Sequence, residues 1–193
     1  METLIDLIQT FDIAVISAVY AVGGNDLFDA IAVLFSFIGT FRAGIIAIGL
    51  FLMFKKETRR IAYVLFAAAL LSGIIVWIIK EIIDRPRPFI ELGMAEANLL
   101  VHTTPYRSFP SGHTASAFTG AAVIGYYFRK WIIPAVIFAC IAGLARIYLL
   151  LHYPSDVVFG AAIGITAALT VIMIFEKYIK TRSPRKTENC LTQ

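Results

Sequence analysis

The residues best suited to chemistry lie in three short stretches, each at the edge of an apolar run. The middle stretch reads Pro110-Ser111-Gly112-His113. The other two supply three cations, a second histidine and a carboxylate: Lys80, Arg87, Arg146, His152 and Asp156. Fixed cations neutralise a phosphate, and imidazoles transfer protons or attack phosphorus. The three stretches therefore predict a site that binds a phosphate and acts on it.

The middle stretch has the form of a helix start that receives an anion. The first backbone N–H groups of a helix are unpaired and carry partial positive charge, so they suit phosphate oxygens. Gly112 allows close approach of the backbone, and the Ser111 hydroxyl adds a donor. The alternative is an N-cap serine followed by an incidental histidine.

The cations differ in how strongly they indicate function. Arg87 precedes Pro88 in a helix-breaking segment, where a rigid guanidinium can donate two bonds to an oxyanion, and Lys80 lies in the last turns of the preceding helix. Arg146 lies near the end of an otherwise apolar run, where a charge is a functional candidate by default. Arg85 is interpreted instead as an interfacial anchor.

His152 and Asp156 are four residues apart, on either side of Pro154. This spacing lets a carboxylate hold an imidazole, which fixes its tautomer and leaves the other nitrogen as nucleophile or base. The alternative is a capping aspartate beside a surface histidine. His102 has no partner at a telling spacing and is interpreted as a loop residue.

Metal binding is the rival use of two histidines and an aspartate. A two-metal phosphatase needs several carboxylates, and a zinc site would avoid three neighbouring cations. Since Lys and Arg already supply positive charge, we predict metal-independent chemistry and no cofactor.

Composition places these residues in a membrane. The chain has 193 residues, is 59% hydrophobic and 16% charged, and has a mean hydropathy of +0.81. Soluble domains are about 45–50% apolar and about 25% charged. The fold class is therefore an all-α polytopic membrane bundle of about six transmembrane helices, formed by residues 1–193 as one domain. The net charge is only +4, and the basic residues lie in short loops, so nucleic acid is not an expected partner.

Apolar runs and polar breaks divide the chain further. Residues 3–22 form an amphipathic helix, either spanning or interfacial, with the span favoured. The start lacks the basic region of a cleavable signal peptide, and no disulfide between the two cysteines is expected. Residues 89–110 form a long polar loop, of the kind that often serves as a lid. The remaining expected elements are a short helix at 27–38 and spans at 41–54, 61–83, 111–128, 131–151 and from Ser155 or Asp156 to about 175.

Charge distribution predicts the sidedness. Basic clusters at 55–60 and 129–130 and the tail at 177–193 share one face of the expected bundle. The positive-inside rule assigns that face to the cytoplasm. Both termini are then cytoplasmic, and the motif-bearing loops lie on the extracytoplasmic face of the plasma membrane.

Taken in order, the three stretches resemble the three signature motifs of the type 2 phosphatidic acid phosphatase family. The resemblance covers residues 80–156 and the six-span layout. It implies that His152 attacks phosphorus to form a phosphohistidine, that Asp156 orients it, and that His113 protonates the leaving group. It further implies that the phosphoryl oxygens are held by Lys80, Arg87, Ser111, Gly112 and Arg146. The third motif commonly begins Ser-Arg, whereas Ala145 precedes Arg146 here, so one phosphate hydrogen bond is in doubt.

The substrate expected from this resemblance is a lipid phosphate whose tails stay among the membrane lipids. We favour a prenyl diphosphate such as undecaprenyl diphosphate; phosphatidylglycerophosphate and phosphatidic acid are the alternatives. The rival functions are a vanadate haloperoxidase and a non-catalytic lipid-phosphate binder or transporter. No obligate protein partner is evident.

Overall fold

The computed structural model describes residues 3–38, 41–94, 100–101 and 103–182. Within these ranges the chain is helical and has no strand, which confirms the all-α fold class. A single 3₁₀ turn at Arg129–Trp131 precedes the seventh helix. The helices are α1 (Leu4–Val22), α2 (Asp26–Ile38), α3 (Phe41–Met53), α4 (Arg59–Ile82), α5 (Pro88–Glu91), α6 (Gly112–Tyr127), α7 (Ile132–Tyr148) and α8 (Pro154–Arg182).

Prolines and polar residues set the ends of these helices, in places differently from the sequence prediction. Helix α4 ends at Ile82, ahead of two prolines, and Pro88 then begins the short helix α5 inside the expected loop. Pro154 begins α8, so Ser155 and Asp156 lie in its first turn and neither is the N-cap residue. The Asp156 carboxylate nevertheless accepts from the backbone N–H of Tyr153, just before the helix, at 2.9 Å. The same helix continues past the predicted end at 175 to Arg182, because the polar residues that follow are good helix formers.

Four helical segments in the described part of the chain are long and apolar enough to cross a membrane. They are Leu4–Ala21, Arg59–Ile82, Arg129–Tyr148 and Pro154–Thr181. Helix α3 contributes a shorter apolar segment, Gly44–Met53. The membrane bundle is thus confirmed, while the number of six spans stays a prediction.

Helices α2 and α3 cover different parts of the bundle. Each has 13 residues, or roughly 20 Å, which is short of a ~30 Å hydrocarbon core. Near the start of α2, Asp29 accepts a hydrogen bond at 2.6 Å from the hydroxyl of Tyr148, at the end of α7. Near the end of α2, Phe35 packs against Phe138 of α7. Helix α3 packs against the first half of α4, where Leu52 shares an apolar cluster with Ile61. Neither helix would cross alone.

The centre of the bundle is a close contact between α6 and α8. A Cβ at Gly164 would lie 2.1 Å from the Ala115 carbonyl oxygen, and one at Gly160 would lie 2.5 Å from that of Ser111. Only glycine permits backbones to approach so closely. Gly160 lies near the start of α8 and faces Ser111, at the start of α6. This contact therefore sets the distance between the segments that carry His152 and His113, the two candidate catalytic histidines.

The bundle has one end that carries the motifs and another that is basic. At the motif end, the Ser111 backbone N–H donates to the Asp156 carbonyl at 3.0 Å and joins the starts of α6 and α8. At the other end, Tyr127 donates to the Glu176 carboxylate at 2.8 Å, near the exposed Arg129 and Lys130. The side of the membrane on which each end lies stays a prediction, as do the cytoplasmic termini.

Candidate active site

Six of the eight predicted site residues line one cavity. It has a volume of about 860 Å³ and lies between the end of α4, the start of α6 and the end of α7. The six residues are Lys80, Arg87, Gly112, His113, Arg146 and His152. The helix ends thus bring together residues that are up to 72 positions apart in the chain. The cavity can hold an anion beside two imidazoles.

Arg87 is fixed on the side facing His152. Its Nε donates to the Thr104 carbonyl and one terminal nitrogen donates to the Leu151 carbonyl, each at 2.7 Å. The same terminal nitrogen lies 3.4 Å from Nε2 of His152. Burial lowers the pKa of Arg87 to about 10, so the guanidinium is still charged at neutral pH. A held, charged guanidinium beside Nε2 is suited to a phosphate oxygen.

The His152 imidazole is buried and faces Asp156 with its other nitrogen. His152 Nδ1 lies 3.5 Å from Oδ2 of Asp156, and the two residues are 2% and 0% exposed. Burial lowers the pKa of His152 to about 3, against the opposing effect of the Asp156 carboxylate. A neutral imidazole with a proton on Nδ1 would leave the Nε2 lone pair facing Arg87 and the cavity.

Asp156 is a shared acceptor rather than a partner of His152 alone. Its Oδ2 also accepts from the Ser108 hydroxyl and, at 2.9 Å, from the Tyr153 backbone N–H. Its Oδ1 accepts from Arg85 at 2.7 Å. Such a satisfied carboxylate has a fixed orientation. Nδ1 of His152 makes no hydrogen bond among the described residues, whereas the bond from the Tyr153 N–H is one that a helix cap makes. Both interpretations from the sequence therefore stay open.

Ser111 lies at the N-cap of α6, the alternative considered from the sequence. Its hydroxyl accepts from the Thr114 backbone N–H at 3.4 Å and from the Thr114 hydroxyl at 2.9 Å. The residue is fully buried and is not among those that line the cavity. Its proposed bond to phosphate stays a prediction.

Lys80 holds the segment that follows α5. Its ammonium donates to the carbonyls of Arg107 and Ser108, the latter at 3.3 Å. Arg107 in turn pairs with Glu81 at 3.0 Å. Lys80 thus ties this part of the expected lid to α4. Closure of this segment as a lid stays a prediction, and His102 lies outside the described residues.

Arg85 is not the interfacial anchor that its position indicated. Its side chain is 21% exposed, and its terminal nitrogens donate to Asp12 at 2.8 Å and to Asp156 at 2.7 Å. The interpretation was wrong because sequence position alone cannot show that two carboxylates lie within reach. Sequence reasoning also missed the contacts of Asp12, Ser108 and Ser155. Of these three residues, only Asp12 had a signal in the sequence, because a carboxylate within an apolar helix is a functional candidate.

The cavity changes from polar to apolar away from the histidines. Ser116 and Thr103 extend its polar part, and its outer lining includes Leu70, Ile74 and Trp77, which are 66%, 45% and 62% exposed. These three residues are on the outward side of α4. The cavity therefore opens sideways, on the face that would meet lipid.

Among the described residues, no three His, Cys, Asp or Glu side chains form a group that could hold a metal ion. The positive charge at the cavity comes from Lys80, Arg87 and Arg146. Phosphoryl transfer requires fixed positive charge of this kind. Independence from metal is left as a prediction for solution experiments.

Comparison with known proteins agrees with this geometry. The sequence model of the PAP2 superfamily matches residues 60–180. The chain belongs to the PAP2 superfamily. The match contains every predicted site residue and leaves α1, α2 and α3 outside it.

Relatives of this PAP2 chain carry several phosphatase names. It is 30% identical over 115 residues to the lipid A 1-phosphatase of Rhizobium johnstonii, covering 58% of this chain and 47% of that protein. It is 27% identical over 143 residues to the undecaprenyl-diphosphatase BcrC of Bacillus subtilis, covering 73% and 72%. The chain thus spans about half the length of the first relative and more of the second.

Solved PAP2 structures show the same architecture. The crystal structure of Aquifex aeolicus LpxE has a TM-score of 0.71 and 29% identity, with 86% of this chain and 95% of that one covered. The PAP2-type phosphatidylglycerolphosphate phosphatase from Bacillus subtilis has a TM-score of 0.71 at 22% identity, with 94% and 90% covered. At that identity the second likeness supports the fold alone.

Proposed function

We propose that this protein is an integral membrane phosphatase that hydrolyses a lipid phosphate without a metal ion. The observation that carries the proposal is the cavity, which has three cations and two histidines at one end and exposed apolar walls at the other. Such a cavity fits a headgroup phosphate whose tail stays in the bilayer. The phosphatase names among the relatives support the same reaction class.

The proposed reaction has two displacement steps. His152 Nε2 attacks phosphorus, the bond from phosphorus to the leaving oxygen breaks, and His113 gives that oxygen a proton. His113 then takes a proton from water, whose oxygen attacks phosphorus while the bond between phosphorus and nitrogen breaks. Phosphate leaves and both imidazoles return to their starting state. The roles of the two histidines rest on the family resemblance.

The cations and Asp156 stabilise these steps. Lys80, Arg87 and Arg146 neutralise the phosphoryl oxygens, and the Gly112 amide at the start of α6 adds a donor. Asp156 would accept a hydrogen bond from the Nδ1–H of His152, remain ionised, and stabilise the positive charge that develops on the ring after attack. Arg87, at 3.4 Å from Nε2, marks the side on which the phosphate would lie.

We further propose a prenyl diphosphate as the substrate. A second cavity, of about 310 Å³ and lined by apolar residues, shares the lining residue Ile45 with the first. An apolar cavity beside the headgroup site favours a substrate with a long apolar tail. The similarity to an undecaprenyl-diphosphatase supports this substrate. Phosphatidylglycerophosphate or phosphatidic acid is the alternative.

The proposed location is the plasma membrane, with the site on the extracytoplasmic face. The support is the distribution of basic residues, which lie at 55–60 and 129–130, away from the motifs. Cysteine labelling with a membrane-impermeant reagent, at Arg107→Cys and Lys130→Cys in intact cells of a Cys140→Ala, Cys190→Ala background, tests it. Labelling of the first only is expected, and labelling of the second only would reverse the assignment.

The test of function is phosphate release in detergent, with EDTA present. Undecaprenyl diphosphate, phosphatidylglycerophosphate and phosphatidic acid are offered in parallel, with His152→Ala as the control. We expect release that survives EDTA and disappears in the variant. Loss of release in EDTA would contradict the metal-free site. Absence of release from every lipid phosphate, with binding retained in both proteins, would favour a binder. Bromide oxidation with vanadate would favour a haloperoxidase.

A further inference from the structure

Asp12 is a fully buried carboxylate in the middle of α1, outside the segment that matches the family model. Its Oδ1 accepts from the Ser155 backbone N–H at 3.0 Å, and its Oδ2 accepts from the Ser155 hydroxyl. Oδ2 also accepts from Arg85 at 2.8 Å. A buried charge is costly unless it is paired and hydrogen-bonded, and Asp12 is both.

Arg85 connects this carboxylate to the one beside His152. One terminal nitrogen donates to Asp12, and the other donates to Oδ1 of Asp156 at 2.7 Å and to the Ser155 hydroxyl at 2.8 Å. The guanidinium lies 3.9 Å from the centre of the Tyr153 ring. Both terminal nitrogens of the guanidinium therefore have hydrogen-bond partners, and the Tyr153 ring covers one face of the group. The guanidinium has little freedom to rotate.

The orientation of Asp156 decides how well it serves His152. At 3.5 Å from Oδ2, Nδ1 makes no hydrogen bond among the described residues, so a small rotation of the carboxylate decides whether that bond forms. Arg85 holds Oδ1, and Ser108 and the Tyr153 N–H hold Oδ2. If Arg85 lost its bond to Asp12, its guanidinium could move, and the Asp156 carboxylate would move with it.

We propose that Asp12 is a positioning residue for the proposed phosphatase reaction: it holds Arg85, and Arg85 orients Asp156 toward His152. The proposal rests on the proposed function for its kinetic consequences and on the described contacts for the relay itself. Helix α1 would then be part of the working site. A purely structural role, in which Asp12 only docks α1, is the alternative.

The fold supplies a way to separate these roles. Ile16 lies one turn after Asp12, is 2% exposed, and packs in an apolar cluster with Phe89, Ile147 and Tyr153. Ile16→Ala weakens the docking of α1 and removes no hydrogen-bonding side chain of the relay. Asp12→Asn removes the charge and leaves that cluster intact. Asp6→Asn changes an exposed carboxylate on the same helix, one that accepts from Thr3 in the capping box of α1, and serves as the charge control.

The kinetic experiment compares these variants with Arg85→Gln and with the double variant Asp12→Asn, Arg85→Gln, as full chains in detergent. Asp12→Asn is expected to lower kcat about tenfold at nearly constant KM, while Ile16→Ala lowers thermal stability and Asp6→Asn leaves kcat unchanged. The double variant is expected to be no slower than Arg85→Gln, since Asp12 acts through Arg85. Multiplied losses in the double variant, or an equal loss of kcat in Ile16→Ala, would overturn the relay.

A second measurement needs no turnover. The chain has three histidines, so ¹⁵N-histidine NMR with His152→Ala for assignment reports the tautomer of His152. Wild type and Asp6→Asn are expected to show the Nδ1-protonated form, and Asp12→Asn a mixture of tautomers. An unchanged tautomer in Asp12→Asn would contradict the relay even if no lipid phosphate were hydrolysed. If Asp12→Asn does not fold, Asp12→Glu replaces it, with a smaller shift expected and the same contrary outcome.

Discussion

Replacement of Gly160 by alanine should disconnect the two halves of the site while leaving the fold in place. The added Cβ would lie 2.5 Å from the Ser111 carbonyl oxygen and 3.3 Å from Thr114 Cβ. Ordinary contact begins at 3.4 Å, so α8 must move away from α6 by roughly 0.9 Å. The obstacle is backbone, which cannot turn aside as a side chain can.

The displacement acts directly on the catalytic geometry. Gly160 lies one turn after Asp156, whose carbonyl accepts the Ser111 N–H at 3.0 Å. Separation of the helices stretches this bond and moves His152 and Asp156 away from Gly112. A misplacement of about 1 Å can cost a factor of about 100 in rate. The overpacking itself should cost about 1–3 kcal/mol of stability.

The assay measures kcat by phosphate release and stability by thermal unfolding in detergent. Gly160→Ala is expected to fold, to unfold at a lower temperature, and to turn over about 100-fold more slowly. The control is Ala162→Val, which adds bulk on the exposed face of the same helix and should alter neither quantity. Wild-type kcat in folded Gly160→Ala would refute the claim that the contact between α6 and α8 sets the spacing of the site.

Three further outcomes follow from the described contacts. Arg87→Lys should lower kcat/KM about 100-fold in steady-state kinetics, because an ammonium cannot bond both backbone carbonyls and still face His152. Tyr127→Phe should lower stability by about 1–2 kcal/mol in denaturant unfolding without changing kcat, since it leaves Glu176 without the 2.8 Å bond at the basic end. His152 should remain uncharged on acidification from pH 7 to pH 5 in an NMR titration, because burial lowers its pKa to about 3; a protonation step in that range would contradict this.

The sequence was sufficient where local pattern decides the outcome. Helix periods, prolines and polar breaks predicted most helices within a few residues, and the three motifs named six of the residues that line the cavity. The pairing of Arg85 with Asp12 could not be predicted, because the two residues are 73 positions apart and depend on how α1 docks. For Ser111 the difficulty was local. A serine that caps a helix and a serine that donates to a phosphate have the same local sequence, and only the fold shows which atoms the hydroxyl contacts.

The sideways opening of the cavity between exposed residues of α4 has a consequence for kinetics. A substrate that enters there comes from the plane of the bilayer, so its effective concentration is its mole fraction among the lipids. Dilution of a lipid phosphate with inert lipid would slow turnover at constant bulk concentration, and addition of more vesicles of one composition would not speed it. For such a site, membrane composition takes the place that solution concentration has for a soluble phosphatase.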